Sequence, residues 1–294
     1  MRKNCITIGA FDGVHLGHRH LVCALKDLAR QNNMASCVFA FTVPPKAFLT
    51  QGVQLLTTAR EKLALLRELG PDKIVQLDFK EVQNISAGGF FDMLLAKYNM
   101  VGILAGPDFA FGHNRGGGAD FLRRACAQSG VLYARASALK TDGHKISSSA
   151  VRRALAAGDV AGAAAILGRP YSVEGKIIKG RQLGRTIGFP TANIDADAAK
   201  LLPRGIFAVR VFLGDEVFKG VCNIGIRPTV SNSGLPSVET HILDFDRDIY
   251  GRFMRVDFIA KIRDEIKFES LPQLKEQIQK DAARARLLLR APQP

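Results

Sequence analysis

Tryptophan is absent from the 294 residues, and aromatic residues make up only 7%. Nothing aromatic and basic is clustered for stacking on bases, which argues against a single-stranded nucleic-acid platform. Cysteine is scarce as well. The five (Cys5, Cys23, Cys37, Cys126, Cys222) are odd in number, scattered and without a CxxC pair. That excludes a zinc ribbon and a disulfide framework, and points to reduced thiols in a cytoplasmic protein. No apolar run approaches the ~18 residues of a membrane span, so no membrane partner is expected. The opening MRKNCITIGAFDG is basic and then apolar, but Asp12 interrupts it too early for a signal peptide. The phosphate loop GxxxxGK[ST] occurs nowhere, and neither do internal repeats or low-complexity tracts.

Charge is plentiful but unpatterned. The net charge is +14, yet residues 1–150 hold 18 Lys and Arg against 11 Asp and Glu, and residues 151–294 hold 23 against 16. Each half therefore carries +7, and no block of like charge exceeds two residues. A nucleic-acid binder concentrates charge in one arm or face. An even excess serves polyanionic small substrates such as nucleotides equally well, and no nucleic-acid partner is expected.

At this length the chain accommodates two domains, each with its own core. The first part alternates strand-like runs (CITIGAF, ASCVFAFT, KIVQLDF, VGILAG) with helical patterns over about 16–31, TTAREKLALLREL and SAGGFFDMLLAKY. That alternation predicts an α/β domain, a Rossmann-like parallel sheet with helices on both faces. Thr58 with Glu61 reads as a capping box, and Gly70-Pro71 as the stop. An Ala-rich helical passage over RALAAGDVAGAAAILG ends at Gly168. From Tyr171 short β segments separated by Gly, Pro, Asn and Asp turns predict a small antiparallel β-barrel, closed by an amphipathic helix over about 271–290. The expected domains are 1–168 and 169–294.

Three of the six histidines fall within IGAFDGVHLGHRHLV, directly after the first expected strand. In a doubly wound sheet ligands bind beyond the carboxyl ends of strands, where the next helix begins. His15 and His18, spaced i, i+3, would share one face at that helix start, where exposed N–H groups and the positive helix end favour phosphate. Gly17 would let a phosphate approach the backbone. A metal site is the weaker reading, since His20 points elsewhere and no acidic or thiol partner stands at motif spacing. A helix start that happens to be His-rich stays open on spacing alone.

A second stretch, GKIIKGRQLGRTIGFPTANI at 175–194, combines Gly180, Gly184 and Gly188 with Arg181 and Arg185. Such a loop can approach phosphates closely. Thr191 and Asn193 offer a hydroxyl and a carboxamide two residues apart on one side of an extended segment, oxygen ligands that suit Mg²⁺. A glycine-rich barrel loop followed by a Pro-Thr turn is the alternative.

GAFDGVHLGH resembles the HxGH signature of nucleotidyltransferases as found in bacterial FMN adenylyltransferases. GPDFAFGHNRGG at 106–117 resembles that family's GxDFxFG segment, and ISSSAVR at 146–152 its ISSTxxR signature, with Ser149 in place of Thr. GRQLGRTIGFPTAN resembles the GRxxGFPTAN motif of riboflavin kinases, followed by GVCNIGIRPT at 220–229, VETHILDF at 238–245 and YGRFMRVDFIAKIRDEIKF at 250–268. Together they resemble bacterial bifunctional riboflavin kinase/FMN adenylyltransferases over nearly the whole chain. The resemblance implies an enzyme that makes FMN from riboflavin and ATP in its second domain and FAD from FMN and ATP in its first, with Mg²⁺ as cofactor. It implies that His15 and His18 hold the ATP phosphates, that Ser148, Ser149 and Arg152 grip the β- and γ-phosphates, that Asp108 lines the nucleotide or flavin pocket, that Glu239 acts as base on the riboflavin 5′-hydroxyl, and that Arg263 contacts flavin or nucleotide. FTVPPKAF at 41–48 sits where that family has a flavin-side loop, without an assigned role. The alternatives are a chain active in only one half and a flavin-sensing or RNA-binding regulator. The oligomeric state is not legible.

Overall fold

The computed structural model describes residues 3–141, 144–180, 182–226 and 236–290. Arg181 and residues 227–229 of the GVCNIGIRPT stretch lie outside them. The chain divides into two compact units, Met1–Ser148 and Ser149–Pro294.

The first unit is built on five parallel strands, β1 (Asn4–Gly9), β2 (Ala35–Phe41), β3 (Lys73–Leu77), β4 (Met100–Ala105) and β5 (Leu132–Arg135), in the order β3-β2-β1-β4-β5. A short hairpin, β6 (Lys140–Thr141) and β7 (His144–Lys145), follows. The helices of this unit are α1 (Leu16–Gln31), α2 (Pro45–Leu49), α3 (Ala59–Glu68), α4 (Phe79–Val82), α5 (Ala87–Tyr98) and α6 (Ala119–Ser129). Apolar clusters cover both faces of the sheet. Ile6, Phe39, Phe91 and Leu122 lie in one cluster, and Val22, Leu25, Val38 and Leu66 in the other. β1 and β2 are therefore buried almost throughout, as strands covered on both faces are. The expected capping box is present: Glu61 N–H donates to Thr58 Oγ1 at 3.2 Å, and Thr58 N–H to Glu61 Oε2 at 2.8 Å. α6 and β5 were not among the sequence expectations. β5 is a four-residue edge strand with little apolar patterning.

The second unit begins within α7 (Ser148–Ala156), which is followed by α8 (Val160–Leu167) after a break at Gly158, where φ is +74°. The Ala-rich passage is thus two helices. Its second helix packs on β8 (Tyr171–Ile178) and β13 (Phe253–Arg263). The barrel closes in the order β10-β11-β12-β9-β8-β13, with β9 (Ala192–Ala196), β10 (Gly205–Leu213), β11 (Glu216–Ile226) and β12 (Pro236–Ile242). A short helix, α9 (Leu183–Thr186), interrupts the loop between β8 and β9. β10 shows how the core is shared. Ile206 and Ala208 pack with Ala282 and Ala285 of α10 (Leu271–Leu288) outside the barrel. The alternate residues Phe207, Val209 and Val211, all fully buried, face the other way, and Phe207 meets Phe258 edge-on at 5.3 Å.

Candidate active sites

In the first unit the chain runs from β1 outward to β2 and β3, then crosses to β4 and β5, so the sheet's switch point lies between the carboxyl ends of β1 and β4. The turn after β1 is held under strain. Phe11 (φ +49°), Gly13 (φ +83°) and Val14 (φ +39°) occupy the left-handed region, where a β-branched residue costs about 1–3 kcal/mol. Buried hydrogen bonds offset this. The carboxylate of Asp12, 2% exposed, accepts at Oδ1 from the N–H groups of Leu56 (3.0 Å) and Thr57 (3.1 Å). Gly13 N–H donates to Thr57 Oγ1 at 3.0 Å, and Ser148 Oγ donates to the Asp12 carbonyl at 2.8 Å.

The turn delivers His15 to the N-cap of α1, where its Nδ1 accepts from His18 N–H at 3.3 Å. With Nδ1 an acceptor, the proton of the neutral ring resides on Nε2, a donor suited to an anion. The rings of His15 and His18 stack at 3.6 Å and 15°, and Phe11 lies 5.1 Å from the His18 ring. A Cβ at Gly17 would crowd the His15 ring at 3.2 Å, so the glycine makes room for the imidazole itself. The first turn of α1 holds no acidic residue, which leaves the helix end favourable to anions.

Burial lowers the proton affinity of His18 well below the ordinary imidazole value of 6.5, with His15 and Lys62 adding to the effect. The native chain therefore resists a proton that the unfolded chain accepts as pH falls through 6.5. Native stability should decline on acidification below that value. In thermal unfolding between pH 7.5 and 5, His18→Phe should lose less of its melting temperature than the parent; an identical loss would count against this cause.

Asp108 is exposed on the loop that follows β4. Phe109 and Phe111 anchor that loop, stacked on each other at 5.3 Å, with Phe111 edge-on to Phe121 of α6. Ser149 and Arg152 lie on α7 beyond the unit division.

In the second unit the constellation is made by strand pairing. Glu239 of β12 stands opposite Asn193 of β9 on one side and opposite Asn223 of β11 on the other. Directly paired residues project to the same face, so a carboxylate lies between two carboxamides although Asn193 and Glu239 are far apart in sequence. Asn193 is 5% exposed, and Asn223 Oδ1 is buried with no hydrogen-bond partner among the described residues. A Cβ at Gly180 would fall 2.5 Å from Asn193 Nδ2, so only glycine lets the 179–190 loop pass over that amide. The loop is tied down where Phe189 N–H donates to the Gly184 carbonyl at 2.7 Å and where the Pro190 carbonyl lies 2.9 Å from His241 Nδ1. Gly188 (φ +88°) supplies the reversal between. Thr191 and Arg185 line a cavity of about 260 Å³ with Thr240, Asp246, Arg247 and Tyr250. Thr191, Asn193 and Glu239 are all oxygen donors, which fits a hard cation. Among the described residues no group of three His, Cys, Asp or Glu could hold a metal by itself.

Arg263 departs from its expected place at a ligand. Its Nε and Nη2 donate to the carboxylate of Asp281 at 2.7–3.1 Å, and its Nη1 to the Asp264 carbonyl at 2.9 Å. This bidentate pair fastens β13 to α10 and gives the buried carboxylate of Asp281 its charged partner.

Sequence reasoning missed Asp12, Thr57, Lys62 and Asn223. A signal existed for Lys62, which shares the apolar stripe of α3 with Leu66 and Leu69 at i+4 and i+7. Asn223 carried no signal, because its importance comes from the register of β11 on β12.

The comparisons with known proteins agree for both units. The riboflavin kinase family model matches residues 167–289, and the FAD synthetase family model matches residues 1–150. Curated bifunctional riboflavin kinase/FMN adenylyltransferases are similar over nearly the full length. The Escherichia coli K12 protein is 40% identical over 291 residues, covering 97% of this chain and 93% of its own. The Pseudomonas fluorescens protein is 37% identical (97% and 93% covered) and the Bacillus subtilis protein 34% (96% and 92%). Among solved structures, a macrolide-efflux protein from Streptococcus pneumoniae superposes with a TM-score of 0.87 at 28% identity, covering 97% of this chain and 95% of the other. Among the described residues of the present chain no helix is long and apolar enough to cross a membrane.

Proposed function

This chain belongs to the bifunctional riboflavin kinase/FMN adenylyltransferase family, and from that premise we propose how its residues divide the two reactions. The chain phosphorylates riboflavin to FMN and adenylylates FMN to FAD. Its substrates are ATP, riboflavin and FMN.

In riboflavin phosphorylation, Glu239 is the general base. Its carboxylate takes the proton of the 5′-hydroxyl as that oxygen attacks the γ-phosphorus, the O–P bond forms and ADP leaves. Asn193 and Thr191 are the residues that would hold Mg²⁺, which when bound neutralises charge on the phosphates. Gly184, Arg185 and Gly188 form the phosphate-facing part of the loop. The observation that carries this reading is the direct pairing of Glu239 with Asn193: it sets the base beside the metal-side amide on one face.

In adenylylation, an FMN phosphate oxygen attacks the α-phosphorus of ATP and pyrophosphate leaves. His15 and His18, stacked at the start of α1, supply ring N–H donors to the phosphates, with the N–H groups at Gly17 beside them. Ser148, Ser149 and Arg152 hold the β- and γ-phosphates, Arg152 through its bidentate fork, and Asp108 lines the pocket from the β4 side. We propose no ligand contact for Arg263. Burial pushes the thiols of Cys5 and Cys222 up to about 12, so neither supports a covalent route, and free cysteines suit a cytoplasmic setting.

Incubation with riboflavin, ATP and Mg²⁺, with the flavins resolved over time, should show FMN and then FAD. FMN alone would reduce the chain to a kinase, and unchanged riboflavin would reject both assignments.

A further inference from the structure

The adenylylation reading leaves one buried ion unused. Lys62, 2% exposed, lies in the first turns of α3 on the face that packs beneath the β1–α1 turn. Its ammonium donates to the Ala10 carbonyl at 3.3 Å and to the Thr42 carbonyl at 3.1 Å. Ala10 is the first residue after β1 and Thr42 the first after β2. One cation thus clamps the carboxyl ends of two neighbouring strands, at the point where the strained turn carrying Asp12 and His15 departs. A buried ammonium is unfavourable for folding, and an apolar side chain of the same length would fill the space at less cost. Its place at the start of the turn that leads to His15 therefore calls for a role in the site.

We propose that Lys62 is a positioning residue for adenylyl transfer, its ammonium holding the turn so that the His15–His18 stack meets the nucleotide phosphates. The proposal rests on the adenylyltransferase reading of this site. Three charged or titratable groups bear on it. Asp12, on the turn, favours the ammonium form; the ammonium in turn lowers the proton affinity of His18, on α1; and His15 caps the same helix start. On α3 itself, Glu61 is engaged with the Thr58 N–H. Burial brings the Lys62 ammonium down to about 8. The clamp thus releases as pH rises through that value, while its donors are intact at neutrality. Stability moves the other way. Between about 8 and 10.5 the unfolded chain holds a proton that the native chain has shed, so native stability rises across the window in which the clamp is lost.

The test uses the full-length chain as parent, Lys62→Met and Lys62→Arg. It measures kcat and KM for FMN adenylylation and for riboflavin phosphorylation from pH 6.5 to 9.5, with thermal unfolding alongside. Lys62→Met should lower the adenylylation kcat by roughly ten- to a hundredfold, as misplacement of a reacting group does, with riboflavin phosphorylation unchanged. The parent's adenylylation rate should fall above pH 8 while its melting temperature does not. Lys62→Arg, which stays charged, should restore part of the rate and carry the falling limb to higher pH. A folded Lys62→Met with the parent's kcat and the parent's pH profile overturns the proposal. If Lys62→Met fails to fold, the decision passes to Lys62→Arg, for which an unmoved falling limb overturns it equally. Absence of FAD formation in the parent would instead reject the adenylyltransferase reading beneath it.

Discussion

His15→Ala should abolish FAD formation, by roughly 10²–10³-fold in kcat, while FMN still accumulates from riboflavin at the parent rate. The imidazole does two jobs that one substitution confounds. It caps α1 through Nδ1, worth about 1 kcal/mol, and it presents Nε2 to the phosphates. His15→Asn separates them, because asparagine is among the best N-cap residues and carries no ring to stack on His18. The asparagine variant should recover the melting temperature lost in His15→Ala but none of the adenylylation. If His15→Asn made FAD at the parent rate, the role of the ring would reduce to capping, and the site would have to be sought elsewhere on the β1–β4 switch point.

Replacing Glu239 by glutamine should remove about 10²–10⁴-fold of the riboflavin kinase rate, the range for loss of a general base. Supplied FMN should still become FAD. Glutamine keeps the size of the side chain and its place between Asn193 and Asn223, so the strand pairing survives and the change isolates the carboxylate's basicity. Flavin chromatography with riboflavin and, separately, with FMN as substrate reads both halves of the expectation. A variant of either residue that stays folded yet loses both reactions would show that the two sites are not independent.

Much of this molecule is local in origin. The capping box of α3, the αL glycine that ends α8, the His15 cap of α1 and the reversal at Gly188 are each decided within about four residues. Hydrogen bonds of that reach follow from the residue types alone, and of these the capping box and the Gly168 stop were read in the sequence, together with the alternation that makes a parallel sheet. The HxGH and PTAN stretches were legible in the same way, since each is contiguous.

What the sequence could not settle are relations between distant segments. Glu239 becomes the neighbour of Asn193 only because one register of β9 on β12 buries Val238 and Ile194 together, and a slip of one residue would turn the carboxylate to the other face. The same holds for Arg263, whose fork faces Asp281 once α10 has docked on the barrel, and for α8, whose apolar residues pack on β8 and β13. Lys62 is the sharpest case, a cation on an apolar stripe until Ala10 and Thr42 bring their carbonyls to it. Sequence by itself determined which short stretches could cap, turn and offer donors to a phosphate. Tertiary structure alone decided which of them meet, because burial of the whole core selects the register and no local hydrogen bond carries that information.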